Sequence, residues 1–146
     1  MAGADDCKVT LDASALPEAL KAYERFGGNL ADLMPLVAED LVEATLERFE
    51  LESGHEQGPW QPLAPSTLAR RRHSKSPKML RDSGVLFGSI AGAHGEDWAE
   101  AYTNVPHAKY HTSKAPRSHL PLRDFFDIDL DAVSERAAEL ILGELP

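Results

Sequence analysis

Apolar positions recur along this chain in two registers, the 3.6-residue spacing of helices and the alternation of strands. Val9-Thr10-Leu11-Asp12 alternates as a short strand does, and Ser14 followed by Pro17-Glu18 predicts a helix that Gly27-Gly28 ends. A second helix is expected from Leu30–Pro35 to about Glu52, with Pro35 in the first turn, where its missing N–H is harmless. At about 100° per residue, Leu33, Met34, Val37, Leu41, Ala44, Thr45 and Phe49 share one face of it. Asp32, Glu39, Asp40, Glu43, Glu47 and Glu50 fall on the opposite stripe. The helix therefore has one side to bury and one strongly acidic side.

Between Ser53 and Pro65 the pattern dissolves into Gly, His, Gln and Pro, the composition of an irregular connection. Trp60 lies within it. Burying an indole removes roughly 150–250 Å² from water, so Trp60 is expected to plug this loop onto the core, the alternative being a contact hot spot for a partner. Ser66-Thr67 caps a short helix that carries Arg70, Arg71, Arg72 and His73, and Ser74 to Lys78 forms a polar, basic break. Arg81-Asp82-Ser83 opens another helical turn, with Leu86 and Ile90 on one side.

Gly92 to Gly95 reads as a turn. Trp98 to Tyr102 alternates as a strand, with Trp98, Glu100 and Tyr102 on one face and a hairpin partner around Ser89 to Ala93. Pro106 opens one or two helical turns holding His107, Lys109, Tyr110 and His111, and Thr112 to His119 reads as a mobile loop. Phe125 to Ile128 suggests a last strand. From Asp129 or Asp131, the residues Leu130, Val133, Ala137, Leu140 and Ile141 draw an apolar line along a terminal helix that Gly143 ends. The sum is α+β: one domain over residues 1–146, with a small, mostly antiparallel sheet, a long amphipathic N-terminal helix pair and a C-terminal helix. Mobile loops are expected near 53–65, 74–78 and 112–120.

Composition narrows the class. With 146 residues, 42% apolar and 27% charged, the chain resembles neither a disordered nor a fibrous sequence. No apolar run reaches the ~18 residues of a membrane span, and the acidic start lacks a signal-peptide core, so synthesis and retention in a cytoplasm are expected. Cys7 is the single cysteine, too few for an internal disulfide, and it reads as incidental.

Charge is more informative by segment than in total. The net charge of -9 divides into -9 over residues 1–60, +6 over 61–123 and -6 over 124–146. Such charge accumulates on solvated faces, but it also suits a basic surface on one copy meeting an acidic surface on the next, or an acidic partner protein. The basic cluster is Arg70, Arg71, Arg72, His73, Lys75, Lys78 and Arg81. A nucleic-acid-binding module built on residues 70–81 is the alternative, although the acidic total and the lack of neighbouring aromatics disfavour it. The acidic face of Glu39, Glu43 and Glu47 suits a basic partner better than a cation, because carboxylates along a straight helix do not converge.

No catalytic constellation emerges. His107 and His111 have the spacing of zinc ligands on a helix, with His119 as a third, but Ala108, Lys109 and Tyr110 between them supply no base and place a cation beside the site. Gly88-Ser89-Ile90 is no nucleophile elbow, and Gly84 to Gly95 holds neither a Walker loop nor a dinucleotide fingerprint. No cofactor, no metal and no enzymatic activity are expected.

Four blocks in sequence carry a resemblance. They are Gly58-Pro59-Trp60-Gln61-Pro62-Leu63 running into the arginines, Leu80-Arg81-Asp82-Ser83-Gly84, Thr103-Asn104-Val105-Pro106-His107-Ala108, and Leu120-Pro121-Leu122-Arg123-Asp124-Phe125-Phe126. Together with the helix ending in Arg48-Phe49, their order resembles the phage virion morphogenesis, or tail completion, family found in Mu-like phages. The closing block here reads Pro121-Leu122-Arg123-Asp124-Phe125, where the family usually has Pro-Ala-Arg-Pro-Phe.

The resemblance implies a structural virion component, located in the tail or neck and made in the bacterial host cytoplasm, that completes the tail or seals the head-tail joint. Its implied partners are tail tube, tail terminator or head-tail connector proteins and like copies in a homo-oligomeric ring, with packaged DNA within reach and no membrane. Candidate contact residues are Trp60, Arg70, Arg71 and Arg72 in the first blocks, with Arg81 and Asp82 after them. His107, Tyr110 and His111, then Arg123 and Phe125, and the acidic Glu39, Glu43 and Glu47 complete the set. Arg123 is expected to pair with Asp82 and hold the basic region against the sheet.

Overall fold

The computed structural model describes residues 7–12, 30–70, 79–80, 85–112 and 121–143. The fold is α+β. Three strands, β1 (Lys8–Asp12), β4 (Ala91–His94) and β5 (Trp98–Tyr102), form an antiparallel sheet in the order β1-β5-β4. Leu11 pairs with Ala99 and Val9 with Ala101 on one side of β5, and Gly92 pairs with Ala101 on the other. Ala99 and Ala101 are fully buried, while Trp98, Glu100 and Tyr102 share the opposite, half-buried face, as the alternation predicts.

Gly92 corrects the expectation of a turn over Gly92–Gly95. A Cβ at Gly92 would stand 3.3 Å from Val42 and 3.4 Å from Ala38, both on the long helix. The glycine is there because a helix lies close against that strand, and the chain reverses later, at residues 95–97.

The long helix, α1 (Met34–Leu51), follows a 3-10 turn over Leu30–Asp32. Pro35 occupies its first turn, as required, and Leu33, Met34, Val37, Leu41, Thr45 and Phe49 are all buried on the expected face, joined by Ala38. Glu52 ends it in the left-handed region at φ 51. The helix expected after Ser14 lies outside the described residues, as do the loops around 74–78 and 113–120.

The chain divides into two compact units, and α1 contributes to both. One comprises Lys8–Ala44, Ala91–Tyr102 and Asp129–Pro146. It holds the three-stranded sheet, the first part of α1 and the terminal helix α5 (Leu130–Gly143). On α5 Val133 and Ala137 are buried, but Leu130 and Leu140 are exposed, so the expected apolar line is buried only at its middle; the Ile141 side chain lies outside the described residues.

The other unit comprises Met1–Cys7, Thr45–Ile90 and Thr103–Ile128. Its core is a cluster of Cys7, Phe49, Trp60, Met79, Leu86, Ala108 and Phe125. Cys7 is thus a core residue rather than an incidental one. Two further helices, α2 (Pro65–Arg70) and α3 (Val85–Gly88), belong here, with α4 (Lys109–Thr112) behind a 3-10 turn over Pro106–Ala108. α3 is shorter than the Leu86 and Ile90 spacing suggests, yet Ile90 packs against the same cluster from beyond its end.

Residues 53–59 are not irregular as expected. They form a miniature hairpin of β2 (Ser53–Gly54) and β3 (Gly58–Pro59), too short for any hydrophobic period to announce. Phe125–Phe126 is a turn, not the expected strand: the Phe126 N–H donates to Asp124 Oδ1 and the Asp127 N–H to the Asp124 carbonyl. Local hydrogen bonding by Asp124 overrides the β preference of two aromatics.

Candidate functional site

Aromatic rings hold the proline-rich connection in place. Phe49, fully buried, meets Trp60 edge-on at 6.1 Å, Phe87 edge-on at 5.4 Å and Phe125 at 4.9 Å. Trp60 is only 3% exposed, so the plug reading is the right one for the chain itself. Its backbone N–H donates to the Glu52 carbonyl, tying the loop to the end of α1.

Arg123 is also inside. Its Nε and Nη2 both donate to the Gln61 carbonyl oxygen, at 3.1 and 2.8 Å, and its own backbone N–H donates to the His111 carbonyl. Asp82, its expected partner, lies outside the described residues. The same end of the chain closes over the hairpin. Asp127 accepts from the backbone N–H groups of Glu56 and Gln57, its carbonyl accepts from the His55 N–H, and the Gln57 side chain donates to the Leu122 carbonyl. Trp60, Arg123 and Phe125 therefore shape the fold and do not form a contact surface, a correction that follows from their burial.

The remaining candidates divide by exposure. His107 and Tyr110 are exposed and His111 is half-buried. The Lys109 ammonium lies 5.7 Å from the centre of the Tyr110 ring. Among the described residues no group of three His, Cys, Asp or Glu is placed to hold a metal, and His119 lies outside them. Arg71, Arg72 and Arg81 also lie outside, and Arg70 ends α2 with its side chain undescribed.

Glu39, Glu43 and Glu47 are exposed along α1. Asp40 differs from its neighbours in the stripe. It pairs with Arg136 of α5 at 3.2 Å, and its side chain is only 12% exposed. Beside this pair an open groove of about 410 Å³ is lined by Leu36, Glu39, Asp40, Arg136, Glu139 and Leu140. Leu36 and Leu140 are large apolar side chains left exposed. The sequence hides this groove because Leu140 falls on the apolar line of α5 and so reads as buried. A leucine at position 36, amid the acids, is its one visible signal.

No helix among the described residues is long and apolar enough to cross a membrane. A model of the phage virion morphogenesis family matches residues 11–141. No curated protein and no solved structure gives a match.

Proposed function

The chain belongs to the phage virion morphogenesis family, and we propose that it completes the tail or forms the head-tail joint, acting through protein-protein contacts and without catalysis. The observation that carries this is the family match across nearly the whole described fold. Apolar surface left exposed at one place supports it: Leu36 and Leu140 are both exposed and line the same groove. On this proposal the neighbours are tail tube, terminator or connector proteins, and like copies arranged in a ring within the virion.

Deleting the gene from the source phage and imaging the lysate by electron microscopy tests the proposal. Separate heads and tails, or tails of abnormal length, are expected, with repair when the gene is supplied in trans. Normal joined particles from the deletion would contradict it.

A further inference from the structure

The groove between α1 and α5 has walls of two kinds. Leu36 and Leu140 offer exposed apolar surface, and Glu39, Asp40 and Glu139 offer carboxylates. Among the described residues the one cation lining it, Arg136, is already paired with Asp40. Glu39 and Glu139 make no ion pair among the described residues. A groove with this lining suits side chains that carry a cation on a long aliphatic stem, the stem lying on leucine and the head reaching carboxylate.

The chain itself contains such a segment. Residues 70–78 read Arg-Arg-Arg-His-Ser-Lys-Ser-Pro-Lys, with five formal positive charges and no acid. We infer that the α1–α5 groove docks the basic segment around Arg70, Arg71 and Arg72 of a second copy of this chain. The inference rests on the proposal that the protein works through contacts with its neighbours, and it specifies one neighbour and one surface. A contact between two different patches is head-to-tail, and it can therefore propagate or close into a ring. Its charge complementarity steers approach and register and contributes to affinity between exposed groups, so the contact weakens as salt screens it.

The probe is a synthetic peptide of residues 69–79, titrated into the isotope-labelled full chain at low salt and followed by amide shifts. Shifts centred on Leu36, Glu39, Glu139 and Leu140 are expected. Glu39→Lys with Glu139→Lys should weaken binding at least tenfold, and a peptide carrying Arg70→Glu, Arg71→Glu and Arg72→Glu should bind that variant better than the wild type. Should the double lysine chain fail to fold, Glu39→Gln with Glu139→Gln removes the charges without reversing them and should weaken binding in the same direction. No binding at low salt, shifts elsewhere, or equal affinity for wild type and variants would overturn the inference. The virion role is separable. A wild-type chain that enters particles but does not bind the peptide removes only this inference, and one that binds the peptide in the groove but is absent from particles removes only that role.

Discussion

Arg123 grips the carbonyl oxygen of Gln61 with two prongs, Nε at 3.1 Å and Nη2 at 2.8 Å, from a site where it is 7% exposed. That contact joins residues 62 positions apart in the chain. Hydrogen bonds from a charged donor contribute more than neutral ones, and removing the donor leaves a carbonyl to be satisfied by other means.

Arg123→Ala should therefore lower unfolding free energy by about 2–4 kcal/mol in urea titration. Arg123→Lys should recover only part of it, because an ammonium cannot present the guanidinium fork. A loss under about 0.5 kcal/mol for Arg123→Ala would show that the contact does not hold the connection.

Phe49 is where Trp60, Phe87 and Phe125 meet. Truncating it to alanine removes contacts to three rings and leaves a cavity in a fully buried site. Phe49→Ala should cost about 3–5 kcal/mol and lower the thermal midpoint by many degrees. Leu51→Ala, at a 58% exposed position two residues on, should change it little.

The long-period features were legible in sequence. Residues at helical spacing from Leu33 to Phe49 mark the buried face of α1, since burial of one face forces that period, and Trp98 to Tyr102 announce β5 by alternation. The sequence misleads where a contact distant along the chain decides a local question, or where one side chain redirects its own backbone. Gly92 reads as a turn residue until the approach of Ala38 and Val42 is known, and Phe125-Phe126 reads as a strand until Asp124 bonds the chain into a turn. The contact of Arg123 with Gln61 goes to a backbone carbonyl, and a backbone acceptor leaves no residue type to find. For the site, the acidic stripe was visible but the groove was not, because it depends on α5 lying beside α1.

Asp127 and Gly54 act as one device. The Asp127 carboxylate accepts from Glu56 and Gln57, and a Cβ at Gly54 would collide with Asp127 Oδ2. Asp127→Ala and Gly54→Ala should each speed hydrogen exchange at the Gln57 amide and cost about 1–3 kcal/mol. The double variant should cost clearly less than the sum, because both changes break the same contact. Strict additivity in a double-mutant cycle would refute the coupling.

Gly58 stands at φ +82 with open space where a Cβ would go, so only backbone strain opposes a side chain there. Gly58→Ala should destabilise by about 1–2 kcal/mol, the cost of the left-handed region, and Gly58→Asn by less. Equal stability of all three in thermal unfolding would contradict the hairpin geometry.

Whether this chain is a built-in part of the virion is tested most directly by quantitative peptide mass spectrometry on density-gradient-purified particles, counting it against the major tail protein. A small, fixed number of copies per particle is the predicted result. Clean particles that lack the chain, with the protein abundant in the cytosol, would contradict it.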